Sequence, residues 1–74
     1  MKSLSVVILV DSTSHALQIE KILHKQNIQS KLIPVPRHLS SDCGVCVRIA
    51  SDQREMAEEI LESNKIAYQS IDVL

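Results

Sequence analysis

The sequence predicts an α+β fold in which two helices cover one face of a four-stranded antiparallel sheet. Strand-like and helix-like segments follow one another in the order β-α-β-β-α-β, in two similar halves. The 74 residues suffice for one small domain, which we assign to residues 1–74. One tyrosine is present and tryptophan and phenylalanine are absent, so the core must be aliphatic.

Composition and charge exclude several classes of partner. Eight Lys and Arg stand against nine Asp and Glu, a formal net charge of -1, so no basic field exists to hold a polyanion. Aromatic side chains for stacking bases are also lacking. The apolar run 6–10 is too short for a signal core or a membrane span. We therefore expect a cytoplasmic protein that binds neither nucleic acid nor membrane.

The first half of the chain predicts a central strand, a helix and an edge strand. Residues 6–10 are uniformly apolar, as in a strand covered on both faces. Polar residues at 11–14 are candidate N-caps of the first helix. Asn27 can end this helix, because asparagine can adopt the left-handed conformation. Residues 28–35 form the second predicted strand. Prolines 34 and 36 at its far end favour an edge position.

The second half repeats this pattern. Residues 44–50 predict a strand with Cys46 and Arg48 on the face opposite to its valines and isoleucine. A capping box from Asp52 to Glu55 is predicted to open the second helix, which ends near Asn64. An outer strand over residues 66–74 completes the predicted sheet.

This order is that of the ferredoxin-like βαββαβ sandwich, in which right-handed crossovers place both helices on the same face. The other face of the sheet stays open. Because the first strand is apolar on both faces, we expect a second copy of the chain, in a homodimer, or a partner domain to cover that open face.

The predicted topology gathers the connections 11–14, 34–44 and 64–66 at one end of the sheet. Cys43, on the second connection, would lie beside the N-terminus of the first helix, where free backbone N–H groups and the positive dipole end favour an anion. Arg37 adds a cation on the same connection. A thiolate, persulfide or selenide suits such a place.

Hydroxyl donors accompany this cysteine in the predicted arrangement: Ser12, Thr13, Ser14, Ser40 and Ser41. With the cation and the helix end, they could lower the pKa of the Cys43 thiol below its model value of about 8.5. Gly44 would let the backbone approach whatever is attached to the sulfur. The alternative is that Cys43 is a small buried structural residue.

Cys46 is a weaker candidate, a secondary thiol at most. Residues three apart in a strand are separated by about 10 Å, beyond the roughly 7 Å between Cα atoms that a disulfide allows. A zinc site would need more ligands than the two cysteines, and the other candidates are only His15, His24 and His38. We predict no metal site and no cofactor.

The strongest sequence signal is the segment Pro-Val-Pro-Arg at 34–37, followed by Ser-Ser-Asp-Cys-Gly at 40–44. With Ser-Thr-Ser-His-Ala-Leu at 12–17, it resembles the Se/S carrier protein-like family of small bacterial domains, over nearly the whole chain. The resemblance implies that Cys43 carries reduced sulfur or selenium, and that the partners are donor and acceptor proteins. It does not extend this role to Cys46.

Two hypotheses about function remain open at this stage. In the first, Cys43 takes sulfur or selenium as a persulfide or selenopersulfide and passes it on, as a carrier or sulfurtransferase-like protein rather than a turnover enzyme. In the second, the domain is a non-catalytic ferredoxin-like interaction module and Cys43 is structural. The reactivity of Cys43 separates the two.

Overall fold

The computed structural model describes residues 5–39 and 44–74, which form a four-stranded antiparallel sheet and two helices. The strands are β1 (Ser5–Leu9), β2 (Lys31–Pro34), β3 (Val45–Ala50) and β4 (Ser70–Val73), and the helices are α1 (Thr13–Lys25) and α2 (Arg54–Ser63). In space the strands follow the order β2-β3-β1-β4. This arrangement confirms the predicted ferredoxin-like α+β fold.

β1 occupies the centre of the sheet, as the apolar run at residues 6–10 predicts. It pairs antiparallel with β3 on one side and with β4 on the other, with Val6 opposite Ile49 and Val73. Residues 6–10 are all buried. β2 lies at the edge next to β3, where its terminal Pro34 removes no hydrogen bond that a central strand would need.

The main core lies between the sheet and the helices. Alternate residues of β1 and β3 point into it, and α1 contributes three buried positions at helical spacing, Ala16, Ile19 and Leu23. Its buried members are aliphatic, with Tyr68 only partly buried against them, which confirms the predicted composition of the core.

A second, smaller core lies on the other face of the sheet. Val7, Leu9 and Cys46 are 0%, 4% and 0% exposed there, although α1 and α2 contribute their buried residues to the core on the other face. Ile33 of β2, together with Val35 and Leu39 from the connection that follows, packs against these three residues. The chain itself thus covers the apolar part of this face. β1 therefore does not need a second copy or a partner domain for its burial, and the homodimer through this face stays a prediction.

Both helices end in the same backbone conformation, with a left-handed residue after the helix. Asn27 after α1 and Lys65 after α2 adopt positive φ values of 65° and 55°. The next residues, Ile28 and Ile66, are buried, and each donates its N–H to a leucine carbonyl five residues earlier, at 2.9 Å in both cases. The prediction for Asn27 is confirmed, and Asn64 is the C-cap of α2 as predicted, while the residue after it, Lys65, takes the left-handed position.

These helix ends explain why two strands begin later than predicted. Residues 28 and 66 were expected to start strands, but their isoleucines dock the helix ends into the core instead. β2 and β4 then begin at Lys31 and Ser70. The predicted capping box of α2 is also wrong: a 3-10 turn over Ser51–Gln53 precedes α2, and no side chain caps either the turn or the helix.

Candidate functional site

Three connections lie at one end of the sheet: those between β1 and α1, between β2 and β3, and between α2 and β4. Their common position follows from the antiparallel strand order. Gln69 joins the first connection to the third, since its backbone N–H donates to the Leu9 carbonyl at 2.7 Å and its amide Nε2 donates to Asp11 Oδ1 at 2.7 Å. The end of β1 and the start of α1 are thereby held in place.

The β2–β3 connection is anchored on both sides of its predicted reactive segment. Cys43, Ser40 and Ser41 lie outside the described residues, so their predicted position beside α1 remains a prediction. On the C-terminal side of residues 40–43, the Gly44 carbonyl accepts a hydrogen bond from the Val35 N–H at 3.1 Å. Cys43 therefore immediately precedes a residue that is bonded to the far side of the connection.

The other anchor is a turn over residues 36–39. The Leu39 N–H donates to the Pro36 carbonyl at 3.0 Å, which places Arg37 and His38 at the exposed tip of the turn. Leu39 then packs against the second core. The connection thus displays a cation to solvent at Arg37, as predicted, while an apolar side chain two residues later fixes the turn to the sheet.

Neither the backbone angle nor the described surroundings of residue 44 require a glycine there. Its φ is not positive, and a Cβ added to it would meet no described atom within 4 Å. Gly44 is also exposed. Open space adjoins the residue that follows Cys43, as expected if a group attached to sulfur or a partner backbone must come close.

The N-terminus of α1 is capped by Ser12, which confirms one of the predicted cap candidates. Ser12 Oγ accepts a hydrogen bond from the His15 backbone N–H at 3.4 Å, and His15 Nδ1 lies at 3.4 Å from the same oxygen. Thr13 and Ser14 follow in the exposed first turn. This first turn contains no acidic residue, so no carboxylate within it offsets the positive end of the helix dipole.

Cys46 lies on the second face of the sheet, as the alternation in β3 predicts. Its thiol is fully buried and donates to the Pro34 carbonyl at an Sγ-to-oxygen distance of 4.0 Å. Because Val35 and Leu39 belong to the same small core, the connection that carries Cys43 is part of the cover over Cys46. A buried thiol of this kind is a packing residue rather than an exposed nucleophile.

Neither a metal-binding group nor a membrane helix is found in the described parts of the chain. Residues 5–39 and 44–74 contain no cluster of three or more His, Cys, Asp and Glu side chains that could hold a metal ion. The helices described are too short or too polar to cross a bilayer.

Sequence reasoning missed Val35, Leu39 and Gln69 at this end of the molecule. Val35 was assigned to the end of a predicted strand and Leu39 to the connection after it. Their apolar side chains could have indicated a contact with the sheet. Gln69 was placed within a predicted strand, and no sequence signal links it to Asp11, 58 positions away.

The fold and the site define a small ferredoxin-like domain whose β2–β3 connection carries a Cys-Gly pair at the end of the sheet where α1 begins. A family model described as "Putative Se/S carrier protein-like" matches residues 5–71, and the chain belongs to this family. The resemblance drawn from the sequence is thereby confirmed. No curated protein and no solved structure matches the chain.

Proposed function

We propose that this protein carries reduced sulfur or selenium on Cys43, as a persulfide or selenopersulfide, and passes it to an acceptor protein. Membership of the Se/S carrier-like family supports a carrier role in general. The observation that carries the assignment to Cys43 is the hydrogen bond from the Val35 N–H to the Gly44 carbonyl, at 3.1 Å. It anchors the exposed residue next to the proposed carrier sulfur.

The proposed transfer needs no external oxidant or reductant. The Cys43 thiolate attacks the outer sulfur of a persulfide on the donor, forming a new S–S bond while the donor cysteine leaves as a thiolate. In the second step, a nucleophile on the acceptor attacks the outer sulfur and Cys43 leaves as a thiolate. With selenium, the outer atom is Se and the bonds exchange in the same way.

Nearby groups support a thiolate at this end of the molecule. Arg37 provides an exposed cation on the same connection, and the first turn of α1 is without acidic residues. Both favour the charged form of a thiol that lies close to them. In this proposal the hydroxyls of Thr13, Ser14, Ser40 and Ser41 are additional donors to the sulfur, whereas the Ser12 hydroxyl serves mainly as the helix cap.

The partners of such a carrier are a donor and an acceptor protein of sulfur or selenium transfer. A cytoplasmic location is part of the proposal, since thiols there stay reduced. A homodimer through the second face of the sheet would have to use its polar part, because the apolar side chains of β1 are already covered. Persulfide loading does not depend on that dimer.

Intact-mass spectrometry tests the loading step. The protein is incubated with a cysteine desulfurase and cysteine, and the wild type is expected to gain the mass of one sulfur atom, reversibly with dithiothreitol. Cys43→Ala should gain none, whereas the matched control Cys46→Ala should load like the wild type. Equal loading of Cys43→Ala, or no loading of the wild type, would exclude the proposal. A parallel incubation with a selenocysteine lyase and selenocysteine compares the two cargoes.

Labelling with iodoacetamide distinguishes the carrier from a non-catalytic interaction module. A carrier cysteine must react in the native protein, and its alkylation rate must rise with pH as the thiolate forms. If Cys43 resists alkylation until the protein unfolds, and Cys43→Ala abolishes folding, the cysteine is structural and the interaction module is the correct function.

A further inference from the structure

A groove of about 960 Å³ lies at the end of the sheet opposite the three connections described above. One wall is the last turn of α1 with the segment between α1 and β2, and the other runs from the end of β3 into the 3-10 turn before α2. Ser5, at the start of β1, also lines it. The proposed sulfur chemistry does not use this groove.

Two cations lie side by side in the groove. Lys31 of β2 and Arg48 of β3 are directly opposite each other in the antiparallel ladder, so their side chains share one face of the sheet. Both are exposed, and neither forms an ion pair within the described residues. Like charges in directly opposed positions destabilise a strand pair. Their juxtaposition therefore calls for a reason other than stability.

The Arg48 guanidinium is held in position by a neighbour. Its Nε donates to Ser5 Oγ at 3.3 Å. This bond uses one of the five N–H donors of the guanidinium, whose planar fork matches the geometry of a phosphate or carboxylate. A fixed fork next to a lysine ammonium is well suited to bind an oxyanion.

A buried hydroxyl beside the groove has no hydrogen-bond partner among the described residues. Ser30 Oγ is inaccessible to solvent and forms no hydrogen bond in the described part of the chain. Buried hydroxyls are normally hydrogen-bonded, so this oxygen stands out. Ser30 lines the same groove as the two cations and directly precedes Lys31. Because this oxygen is inaccessible to solvent, it is not among the groups that can contact a ligand in the groove.

We propose that this groove is an oxyanion site that binds a phosphate group between Lys31 and Arg48. Asp52 is the one carboxylate among the lining residues and opposes binding of an anion. Free phosphate and a phosphate monoester present the same chemistry to this site.

Amide chemical shifts in a phosphate titration test the proposal, with ionic strength held constant by chloride. Saturable shifts are expected at Lys31, Arg48 and the turn 51–53. Arg48→Ala should weaken binding about tenfold or more, as expected for loss of a charge-assisted contact. Lys21→Ala, which removes an exposed cation elsewhere, is the matched control and should leave the dissociation constant unchanged.

Two further variants separate a specific site from general charge effects. Asp52→Asn should tighten binding, because it removes the opposing carboxylate. Lys31→Ala should weaken it, because it removes the second of the two cations. A repeat with methyl phosphate distinguishes the ester from the free ion, and saturable binding of either supports the site. Shifts that do not saturate, or that persist unchanged in Arg48→Ala, would overturn it.

Discussion

The two faces of the sheet are buried by different means. On one face, side chains from both helices interlock with alternate residues of the strands and enclose a large aliphatic core. On the other face, Val7, Leu9 and Cys46 are covered by Ile33 and by the connection that follows β2, through Val35 and Leu39. The second cover is thinner, and its residues are only partly buried.

The comparison shows that the connection after β2 has two tasks. It carries the proposed carrier cysteine, and it is also the cover over one side of the central strand. A segment that serves only to display a thiol could be replaced freely, whereas this one includes side chains whose burial stabilises the fold. Changes to the two faces should therefore differ in their effects on stability and on exposure of the buried cysteine.

Ile8 and Leu9 give the largest expected effects, because adjacent residues of β1 point to opposite faces. Ile8→Ala should lower the free energy of unfolding by about 3 to 4 kcal/mol, since it leaves a cavity beneath two helices. Leu9→Ala should cost about 2 kcal/mol, because the thinner cover can relax into the space. Urea unfolding followed by circular dichroism measures both. Equal losses would mean that the two covers are equally rigid.

Leu39→Ala should lower the free energy of opening the cover over the second face by about 1 to 2 kcal/mol. The test uses a Cys43→Ala background, in which Cys46 is the only cysteine. Leu39→Ala should accelerate the alkylation of Cys46, since each 1 kcal/mol changes the fraction of molecules with an open cover about fivefold. Leu17→Ala is the control, because Leu17 is 49% exposed on α1. If both variants label Cys46 at the parent rate, Leu39 does not protect it.

Lys65→Gly should stabilise the helix side of the molecule by about 0.5 to 1 kcal/mol, because lysine is strained at a φ of 55° and glycine is not. Asn27→Gly should gain less, since asparagine tolerates this conformation better. Thermal unfolding of the two variants gives the comparison. A loss of stability in Lys65→Gly would mean that the lysine side chain makes a contact worth more than the strain.

Gly44→Ala should have the smallest effect on stability, within about 0.5 kcal/mol, because its φ is not positive and no described atom lies near the added methyl. If Gly44 serves the proposed chemistry, the same variant should load sulfur more slowly in the desulfurase assay. Urea unfolding and the rate of mass gain are measured on the same sample. A large destabilisation would show that the glycine is structural instead.

Local sequence patterns were sufficient to predict the fold. The unbroken apolar run of β1, the alternation around Cys46 and the polar residues before α1 each point to the element that forms, because each depends on neighbours in the chain. The end of α2 at Asn64 was predicted as well, but the left-handed conformation of the next residue was not, since lysine has no preference for the conformation that Lys65 adopts.

The candidate site was predictable as a set of residues but not as an assembly. Arg37 is exposed and Ser12 caps α1, as the sequence indicates. The packing of Leu39 against the second core and the bond from Gln69 to Asp11 join positions far apart in sequence, which no local pattern specifies. Only the folded chain brings such pairs together.

The single tyrosine of the protein makes it nearly silent in fluorescence. Tyr68 is partly buried against the helix-side core, and no tryptophan occurs in the chain. Light at the long-wavelength edge of tryptophan absorption therefore excites a tryptophan-containing donor or acceptor and leaves this protein dark. Docking and exchange can then be followed on the unmodified partner alone, in real time and without a dye attached to either protein.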